Sequence, residues 1–292
     1  MSASSRDHVR KLLAEGGDKD LVSVASWSDQ VILARLDTGP LRGDHEAIDF
    51  DHRFPNSGTW HFINLPLGIA SWEQASSFST SDDIVQAVAR CIQVLEAPAS
   101  EQPPGELTKV EALRLLVHLV GDIHQPLHCG TGFYKFSQAQ AVQLVIDPQE
   151  AKGTTNDRGG NLLFYGPNET DQLHALWDRV LVEEADKTID YHALADFLMA
   201  NYLPKDVPLT PGDYHEWAQR WAIESVQVAR LAYQGITFKN PTFDASQRLH
   251  RIEVELPKDY IPINSQRAAA QIARAGAHLS QLFDKIRWQV EN

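Results

Sequence analysis

ALRLLVHLVGDIHQPLH, at positions 112–128, is the stretch that decides the fold. Apolar residues recur from Ala112 to Ile123 at spacings of three and four, which is the period of a helix, and they nearly surround His118. Pro126 then ends the helix, because its ring clashes with the preceding turn. The stretch therefore predicts a helix of a helical domain, with the face that carries His118 buried.

The same helical period recurs along the chain, and segments rich in proline, glycine and asparagine separate the helical stretches. We therefore predict an all-α fold, with one multi-helix domain over residues 1–292 and long loops. Gln140–Ile146 and Ile252–Leu256 predict short strands, the first within a small β-hairpin insertion. The predicted helices cover Val9–Leu13, Ile84–Leu95, Ala112–Ile123, Leu173–Val182, Tyr191–Met199, Trp217–Tyr233 and Ala268–Ile286, and the breaks between them include 97–105, 156–161 and 239–244.

The formal net charge of −13 disfavours a nucleic-acid enzyme that relies on a basic surface, because phosphate binding normally uses lysine and arginine. Bound divalent metals would supply the missing positive charge locally. No apolar run approaches the roughly 20 residues that span a bilayer, so we expect no membrane partner. Two cysteines, Cys91 and Cys129, are too few for a disulfide scaffold, and whether they pair depends on a proximity that the sequence leaves open.

Two pairs of a histidine and an aspartate, four residues apart, carry the strongest chemical signal. His118 with Asp122, and His174 with Asp178 in LHALWD, each place an imidazole and a carboxylate on one helix face, where both reach one metal. His128 lies past the helix end and can serve a second ion. A lone pair of this kind is more often a solvated surface pair, and His118 alone is also consistent with a core histidine hydrogen-bonded to Asp122.

Two more polar residues in apolar surroundings favour a metal. Asp29 follows Trp27 on an apolar helix, and His61 lies between aromatic residues in WHFINLP, which we interpret as an extended segment. An aspartate is almost never buried unless it is paired or binds a metal, and one metal explains these residues together with the first helical pair. The mixture of imidazole and carboxylate suits zinc better than magnesium.

Taken together, ASWSD, WHFIN, HLVGDIHQPLH, DRGGN and LHALWD resemble the S1/P1 family of zinc nucleases, the type I nucleases that degrade single-stranded DNA and RNA. The resemblance runs from Val22 to Asp178 and returns in the last helix at AAAQIARAGAHLSQLF. It implies an α-helical fold shared with bacterial zinc phospholipase C, and a cluster of three zinc ions. It also implies the ligands: Asp29, His61, His118 and Asp122 for the first zinc, His128, His174 and Asp178 for the second, and Asp122 again for the third.

The resemblance implies metal-assisted hydrolysis of single-stranded DNA or RNA to 5′-phosphorylated products, with 3′-nucleotidase action on nucleotides as a further expectation. It places Asp122 and Asn161 at the reacting phosphate as catalytic residues. Phe62 would stack an exposed base, and a core phenylalanine is the equal alternative. Asn64, Gly160 and Asn161 would border the substrate, where glycine permits close backbone approach, with a plain flexible turn as the alternative. No obligate protein partner is expected.

The chain departs from the family pattern at three internal places. Ile32 stands where members commonly carry a basic residue, and Asn64 stands where some carry a carboxylate. An insertion at 130–156 contains Tyr134 and Phe136, and it is either a lid over the substrate or an ordinary surface excursion.

The family's N-terminal tryptophan and Gly-His pair, which hold the third zinc, have no counterpart before the helix at Val9–Leu13. We therefore expect two complete zinc sites and little nuclease activity from residues 1–292, with a start upstream or a natural two-zinc form as the explanations. Family members are secreted or periplasmic, whereas residues 1–292 show no signal peptide. Two other classes stay open: a phospholipase C-like phosphodiesterase, against which Asp178 in place of glutamate counts, and a zinc-binding protein without catalysis.

Overall fold

Helices make up most of the computed structural model, which describes residues 1–98, 105–137, 141–185, 191–202 and 207–288. The all-α prediction is therefore confirmed. Residues 99–104 of the predicted break at 97–105 lie outside the described residues. The helices of the described part are α1 Ala3–Glu15, α2 Leu21–Val24, α3 Trp27–Arg35, α4 His45–Arg53, α5 Trp72–Ala75, α6 Ile84–Glu96, α7 Lys109–His124, α8 Pro126–Cys129, α9 Pro148–Ala151, α10 Leu173–Ala175, α11 Leu181–Ala185, α12 Tyr191–Asn201, α13 Trp217–Ala232 and α14 Tyr260–Lys285.

Helix α7 contains the predicted helix Ala112–Ile123. Thr108 caps its start: the Thr108 hydroxyl accepts the backbone N–H of Glu111, and the Glu111 carboxylate accepts the backbone N–H of Thr108. Pro126 stops it as predicted and opens the single turn α8. The helix is enclosed on nearly every side, and its buried apolar residues are Ala112, Leu113, Leu115, Leu116, Leu119, Val120 and Ile123.

Small sheets connect the helices in the part of the chain that the structure describes. The strands are β1 Leu65–Pro66, β2 Gly130–Thr131, β3 Phe133–Phe136, β4 Val142–Val145, β5 Thr155–Asn156, β6 Leu163–Phe164, β7 Thr237–Phe243 and β8 Leu249–Glu255. Strand β1 pairs in parallel with β2, β3 lies antiparallel between β4 and β5, and β8 pairs antiparallel with β7 and in parallel with β6.

The hairpin and strand predictions are confirmed by β4 and β8, although residues 138–140 of the insertion lie outside the described residues. The predicted break at 239–244 does separate two helices, α13 and α14, and most of it forms strand β7. Cross-strand pairing with β8 overrides the turn signal of Asn240 and Pro241, and a register shift after Lys239 accommodates them.

Two hydrophobic clusters hold these elements together. The larger one surrounds α7 and includes side chains from α1, α3, α6 and α13. The second forms around the buried ring of Trp177 and joins β6, β8 and the start of α14. Because α7 is packed on nearly every side, the side chains on its last turns stand on a rigid support. No helix among the described residues has the length and apolar character needed to cross a bilayer.

Candidate metal centre

Four side chains from three segments converge near the C-terminal end of α7. Asp122 Oδ2 lies 2.9 Å from His61 Nδ1 and 2.9 Å from His118 Nε2, and these two nitrogens are 3.0 Å apart. Asp29 Oδ1, on α3, lies 3.6 Å from His61 Nδ1 and 3.5 Å from His118 Nε2. The structure thus brings together the four residues that the sequence suggests for a first zinc.

The ligand atoms of Asp29, His61 and His118 all lie within 4.8 Å of one another, and Asp122 adjoins the two histidines, so this set could hold a zinc ion. Zinc binds nitrogen and carboxylate oxygen at about 2.0–2.2 Å, so the ligand atoms of one tetrahedron stand about 3.4 Å apart. The three separations among Asp29 Oδ1, His61 Nδ1 and His118 Nε2, from 3.0 to 3.6 Å, are close to that value.

Contacts behind the first set determine which ring nitrogen faces the centre. His118 Nδ1 lies 2.6 Å from the carbonyl oxygen of Ala25. A carbonyl can only accept, so Nδ1 carries the proton and Nε2 is left for a metal. His61 Nε2 pairs with the hydroxyl of Ser28 at 2.9 Å, which leaves His61 Nδ1 for the same ion. Such outer contacts orient metal-binding histidines and fix their tautomers.

The second set consists of His128 on α8, His174 on α10 and Asp178. His128 Nε2 lies 3.5 Å from Asp178 Oδ1, and His174 Nε2 lies 3.4 Å from Asp178 Oδ2. The two imidazole rings stack with centroids 4.8 Å apart. Gln125 donates to Asp178 Oδ1 at 2.6 Å and steadies the carboxylate. Three protein ligands leave a fourth position of a tetrahedral ion open, which is typical of catalytic zinc.

Backbone carbonyls orient this second set as well. His128 Nδ1 donates to the carbonyl of His61 at 2.7 Å, and His174 Nδ1 donates to the carbonyl of Gly159 at 2.7 Å. Both Nε2 atoms therefore face Asp178. The aspartate itself lies in a π-helical segment, Leu176–Val180, that joins α10 to α11. Such widened turns are frequent at functional sites, because they shift the side-chain register by one residue.

Without a metal, carboxylates and histidines stabilise one another's charged forms. Burial lowers the pKa of His118, but the charge and hydrogen bond of Asp122 outweigh it and raise this pKa to about 9. Burial also opposes protonation of His128, yet Asp122 and Asp178 raise its pKa to about 9. Burial would raise the pKa of Asp122, but the charges of His128 and His118 hold it far below its usual range. A metal must therefore displace protons from this centre.

Both ligand sets open into one cavity of about 1200 Å³. Phe62 lines it and is 38% exposed, so its ring is not a core side chain. Asn64 and Asn161 also line it: the Asn64 side-chain oxygen accepts from the Thr131 hydroxyl at 2.9 Å, and the Asn161 amide donates to the Arg158 carbonyl at 2.8 Å.

Comparison with known proteins agrees with this geometry. The S1/P1 nuclease family model matches residues 1–287. The chain belongs to the S1/P1 nuclease family. Endonuclease 2 of Arabidopsis thaliana is 24% identical over 94% of this chain and 82% of its own length. Nuclease S1 of Aspergillus oryzae is 25% identical over 63% of this chain and 50% of its own length, and nuclease P1 of Penicillium citrinum is 25% identical over 67% and 56%. The chain is therefore a nuclease whose substrate is nucleic acid.

Zinc dependence is a property of the S1/P1 family, and the donor sets of this nuclease suit that metal. Asp157, in the DRGGN motif, is a residue that sequence reasoning left without a role. Its fully buried carboxylate accepts from the N–H groups of Gly132 and Gly160, at 3.3 and 2.9 Å, and from the hydroxyls of Tyr134 and Tyr233. This anchor holds the turn whose Gly159 carbonyl orients His174. An aspartate within an NDRGGN turn is the signal that could have revealed it.

Several placements in this S1/P1 nuclease differ from expectation. His61 ends a 3₁₀ turn, Ser57–His61, so the extended conformation predicted for WHFINLP begins only at Phe62, from where the chain leads into β1. Gly160 is not among the residues that line the cavity, and its N–H donates to Asp157. A Cβ at this position would lie 3.3 Å from the backbone nitrogen of His174. Cys91 and Cys129 are free and buried.

The insertion at 130–156 packs against the body of this nuclease. The rings of Tyr134 and Phe136 contact Phe238 and Phe243 of β7, with centroids 5.4 and 5.0 Å apart. Neither ring lines the cavity. This packing favours a surface insertion over a lid.

Proposed function

We propose that this nuclease is a zinc-dependent endonuclease that hydrolyses single-stranded DNA and RNA to 5′-phosphorylated products. The observation that carries the proposal is the pair of ligand sets that face one cavity, with Asp122 Oδ2 at 2.9 Å from two ligands of the first set and 3.8 Å from His128 Nδ1 of the second. The Asp122 carboxylate thus lies in the first set and beside the ring of His128 from the second.

The side chains of the cavity have distinct tasks in this proposal. When bound, zinc supplies Lewis-acid polarisation of the phosphodiester and a water nucleophile that is available near neutral pH. Asp122 positions the two ligand sets relative to each other, and Asn161 orients the phosphate by its amide. The His118 and His174 rings are held by backbone carbonyls, so their ligand nitrogens need no reorganisation during turnover.

Preference for a single strand would follow from Phe62. Its ring stands on the cavity wall next to His61 and is partly exposed, so an unpaired base can stack on it, whereas a base within a duplex is already stacked. Asn64 lines the same wall and can hydrogen-bond the stacked base. A 3′-nucleotidase activity is consistent with the same site, since a terminal nucleotide presents the same base and phosphate.

We further propose two zinc ions for residues 1–292. The first set offers Asp29, His61 and His118 with Asp122 beside them, and the second offers three ligands, whereas the described residues form no third group of ligands beside Asp122. His124 lines the cavity, but both of its ring nitrogens are engaged: Nδ1 lies 2.8 Å from the Val120 carbonyl and Nε2 lies 2.8 Å from His278 Nδ1. A secreted or periplasmic location would follow the family.

Metal counting together with an activity assay tests the proposal. The number of zinc ions bound per chain is measured on the zinc-loaded protein. Its activity is then assayed on a single-stranded oligonucleotide, on the corresponding duplex, and on a lipid phosphodiester as the phospholipase C-type control. About two zincs with slow, strand-selective cleavage and 5′-phosphate ends are expected. Cleavage of the lipid alone would favour the phospholipase alternative, and two bound zincs without any cleavage would favour the catalytically silent zinc-binding protein.

A further inference from the structure

The wall of the cavity is poor in fixed positive charge. Asp29, Asp122 and Asp178 line it, and Arg158 is the one lysine or arginine among the described residues that does so. Arg35, on α3, is already engaged: its guanidinium contacts Asp51 at 3.4 Å and the Pro55 carbonyl at 2.8 Å. A polyanionic substrate in this cavity therefore meets a single unengaged arginine.

The guanidinium of Arg158 has no protein partner within the described part of the chain. No carboxylate there lies within 4.0 Å of it, in contrast to the ion-paired Arg53, Arg114 and Arg251. It therefore neither neutralises the ligand carboxylates nor stabilises a neighbouring element. An exposed arginine on a cavity wall with no such role is available to a ligand.

The backbone presents this side chain in a fixed and unfavourable conformation. Arg158 has φ +56°, in the left-handed region that non-glycine residues rarely occupy. Asn156 accepts the Arg158 N–H at 3.0 Å, and the Asn161 amide donates to the Arg158 carbonyl at 2.8 Å. The neighbouring Asp157 anchors the turn from behind. Three polar side chains thus hold a conformation that a solvent-exposed turn would not keep by itself.

The position of the turn relates Arg158 to the second ligand set. The next residue, Gly159, holds His174 through its carbonyl at 2.7 Å. Because Arg158 lines the same cavity but no ligand carboxylate lies within 4.0 Å of its guanidinium, the guanidinium is not among the ligand atoms. When one phosphate of the strand lies at the metals, the next phosphate can reach Arg158.

We propose that Arg158 binds a non-scissile phosphate, the neighbour of the phosphate that is cut, and so makes this nuclease prefer strands to dinucleotides. This inference rests on the proposed function and adds a subsite to it. The planar guanidinium matches two phosphate oxygens, which an ammonium group cannot do as well. This contact depends on the length and charge of the strand and not on the identity of its bases.

The test compares wild type, Arg158→Ala and Arg158→Lys on substrates that differ in one charge. These are a dinucleoside monophosphate, which has only the scissile phosphate, a trinucleoside diphosphate followed bond by bond, and trinucleosides with a neutral methylphosphonate at either linkage. Arg10→Ala on α1, an exposed arginine outside the cavity, is the matched control. Zinc content is measured for every variant.

Arg158→Ala should lower kcat/KM by about tenfold to a hundredfold for at least one bond of the trinucleoside diphosphate, as expected for loss of a hydrogen bond to a charged group. For the dinucleoside monophosphate, kcat/KM of Arg158→Ala should differ from that of wild type by less than about twofold. With a methylphosphonate at the neighbouring linkage, the kcat/KM of wild type should fall to that of Arg158→Ala. On the fully charged trinucleoside diphosphate, Arg158→Lys should lose less kcat/KM than Arg158→Ala does. On a longer single strand, the variant's binding should lose about 0.7 in the slope of log affinity against log salt.

Equal losses on the dinucleotide and the trinucleotide would overturn the subsite, because Arg158 would then act at the scissile phosphate or on the turn. Zinc loss in Arg158→Ala, or no loss of rate on any substrate, would overturn it as well. If wild type cleaves none of the substrates, the proposed function fails independently. Calorimetric binding of the trinucleoside to zinc-loaded wild type and variant then still decides whether the arginine holds a phosphate.

Discussion

Replacing Asp157 by asparagine should change the pH dependence of stability in a direction that the structure fixes. Four donors converge on this carboxylate: the N–H groups of Gly132 and Gly160 and the hydroxyls of Tyr134 and Tyr233, at 2.7 to 3.3 Å. They favour the charged form, whereas complete burial favours the neutral one. Burial dominates and raises the pKa of Asp157 from 3.8 to about 6.

The sign of the effect follows from linkage. The folded state binds a proton more tightly than the unfolded state, so the stabilisation is fully present below about pH 3.8 and is lost as pH rises through about 6. A rise of about two pKa units corresponds to about 3 kcal/mol in the free energy of unfolding. Asparagine does not titrate, so Asp157→Asn lacks this loss.

Urea unfolding of zinc-free wild type and Asp157→Asn, at steps from pH 4 to pH 8, measures the difference. The stability of wild type relative to the variant should fall by about 3 kcal/mol between about pH 4 and pH 6 and then level off. Tyr134→Phe removes one donor and should extend the fall to higher pH. A relative stability that is flat, or that rises with pH, would refute the reasoning, because the donors would then outweigh burial.

Three further outcomes follow from the centre. His118→Ala and His174→Ala should each lose about one zinc per chain and most nuclease activity, and unchanged zinc content in both would contradict the ligand assignment. Phe62→Ala should weaken single-strand binding by about 1–3 kcal/mol with zinc content intact, whereas loss of folding would point to a structural role. Zinc binding near pH 7 should release about two protons, because pKa values near 9 keep His118 and His128 protonated without metal. Calorimetry of zinc binding in buffers of different ionisation enthalpy measures the number of protons released. If no protons are released, the two pKa values are lower than stated.

The central helix and the two helical ligand pairs were predictable because each depends on local periodicity. Residues four apart share a helix face, so His118 and Asp122, and His174 and Asp178, meet whatever the rest of the fold does. The apolar residues around His118 likewise predicted the burial of α7. Spacing did not show that Asp178 lies in a π-helical segment, because propensity does not resolve a one-residue change in register.

Non-local contacts explain what the sequence could not show. The 3₁₀ turn at Ser57–His61 lacks a periodic signal, and its role depends on Asp122, 61 residues further along the chain. Strand β7 forms through a pairing with β8 that tolerates Pro241 at a register shift. From the sequence alone, Asp157 has the character of a turn residue. The structure shows that it accepts hydrogen bonds from Tyr134, earlier in the chain, and from Tyr233, later in the chain. In each case tertiary contacts override the local preference.

An acidic nuclease is physically consistent because the charge that binds substrate is local. Surface charges farther than about 8 Å from a phosphate are largely screened at physiological ionic strength, so most of the net charge of −13 does not reach the cavity. Two divalent ions would bring four positive charges against the carboxylates of Asp29, Asp122 and Asp178, which leaves a net positive centre. Arg158 adds one further charge at its edge. Affinity then depends on a few well-placed contacts instead of a basic face, which is why composition argues against nucleic acid while the positions of individual residues argue for it.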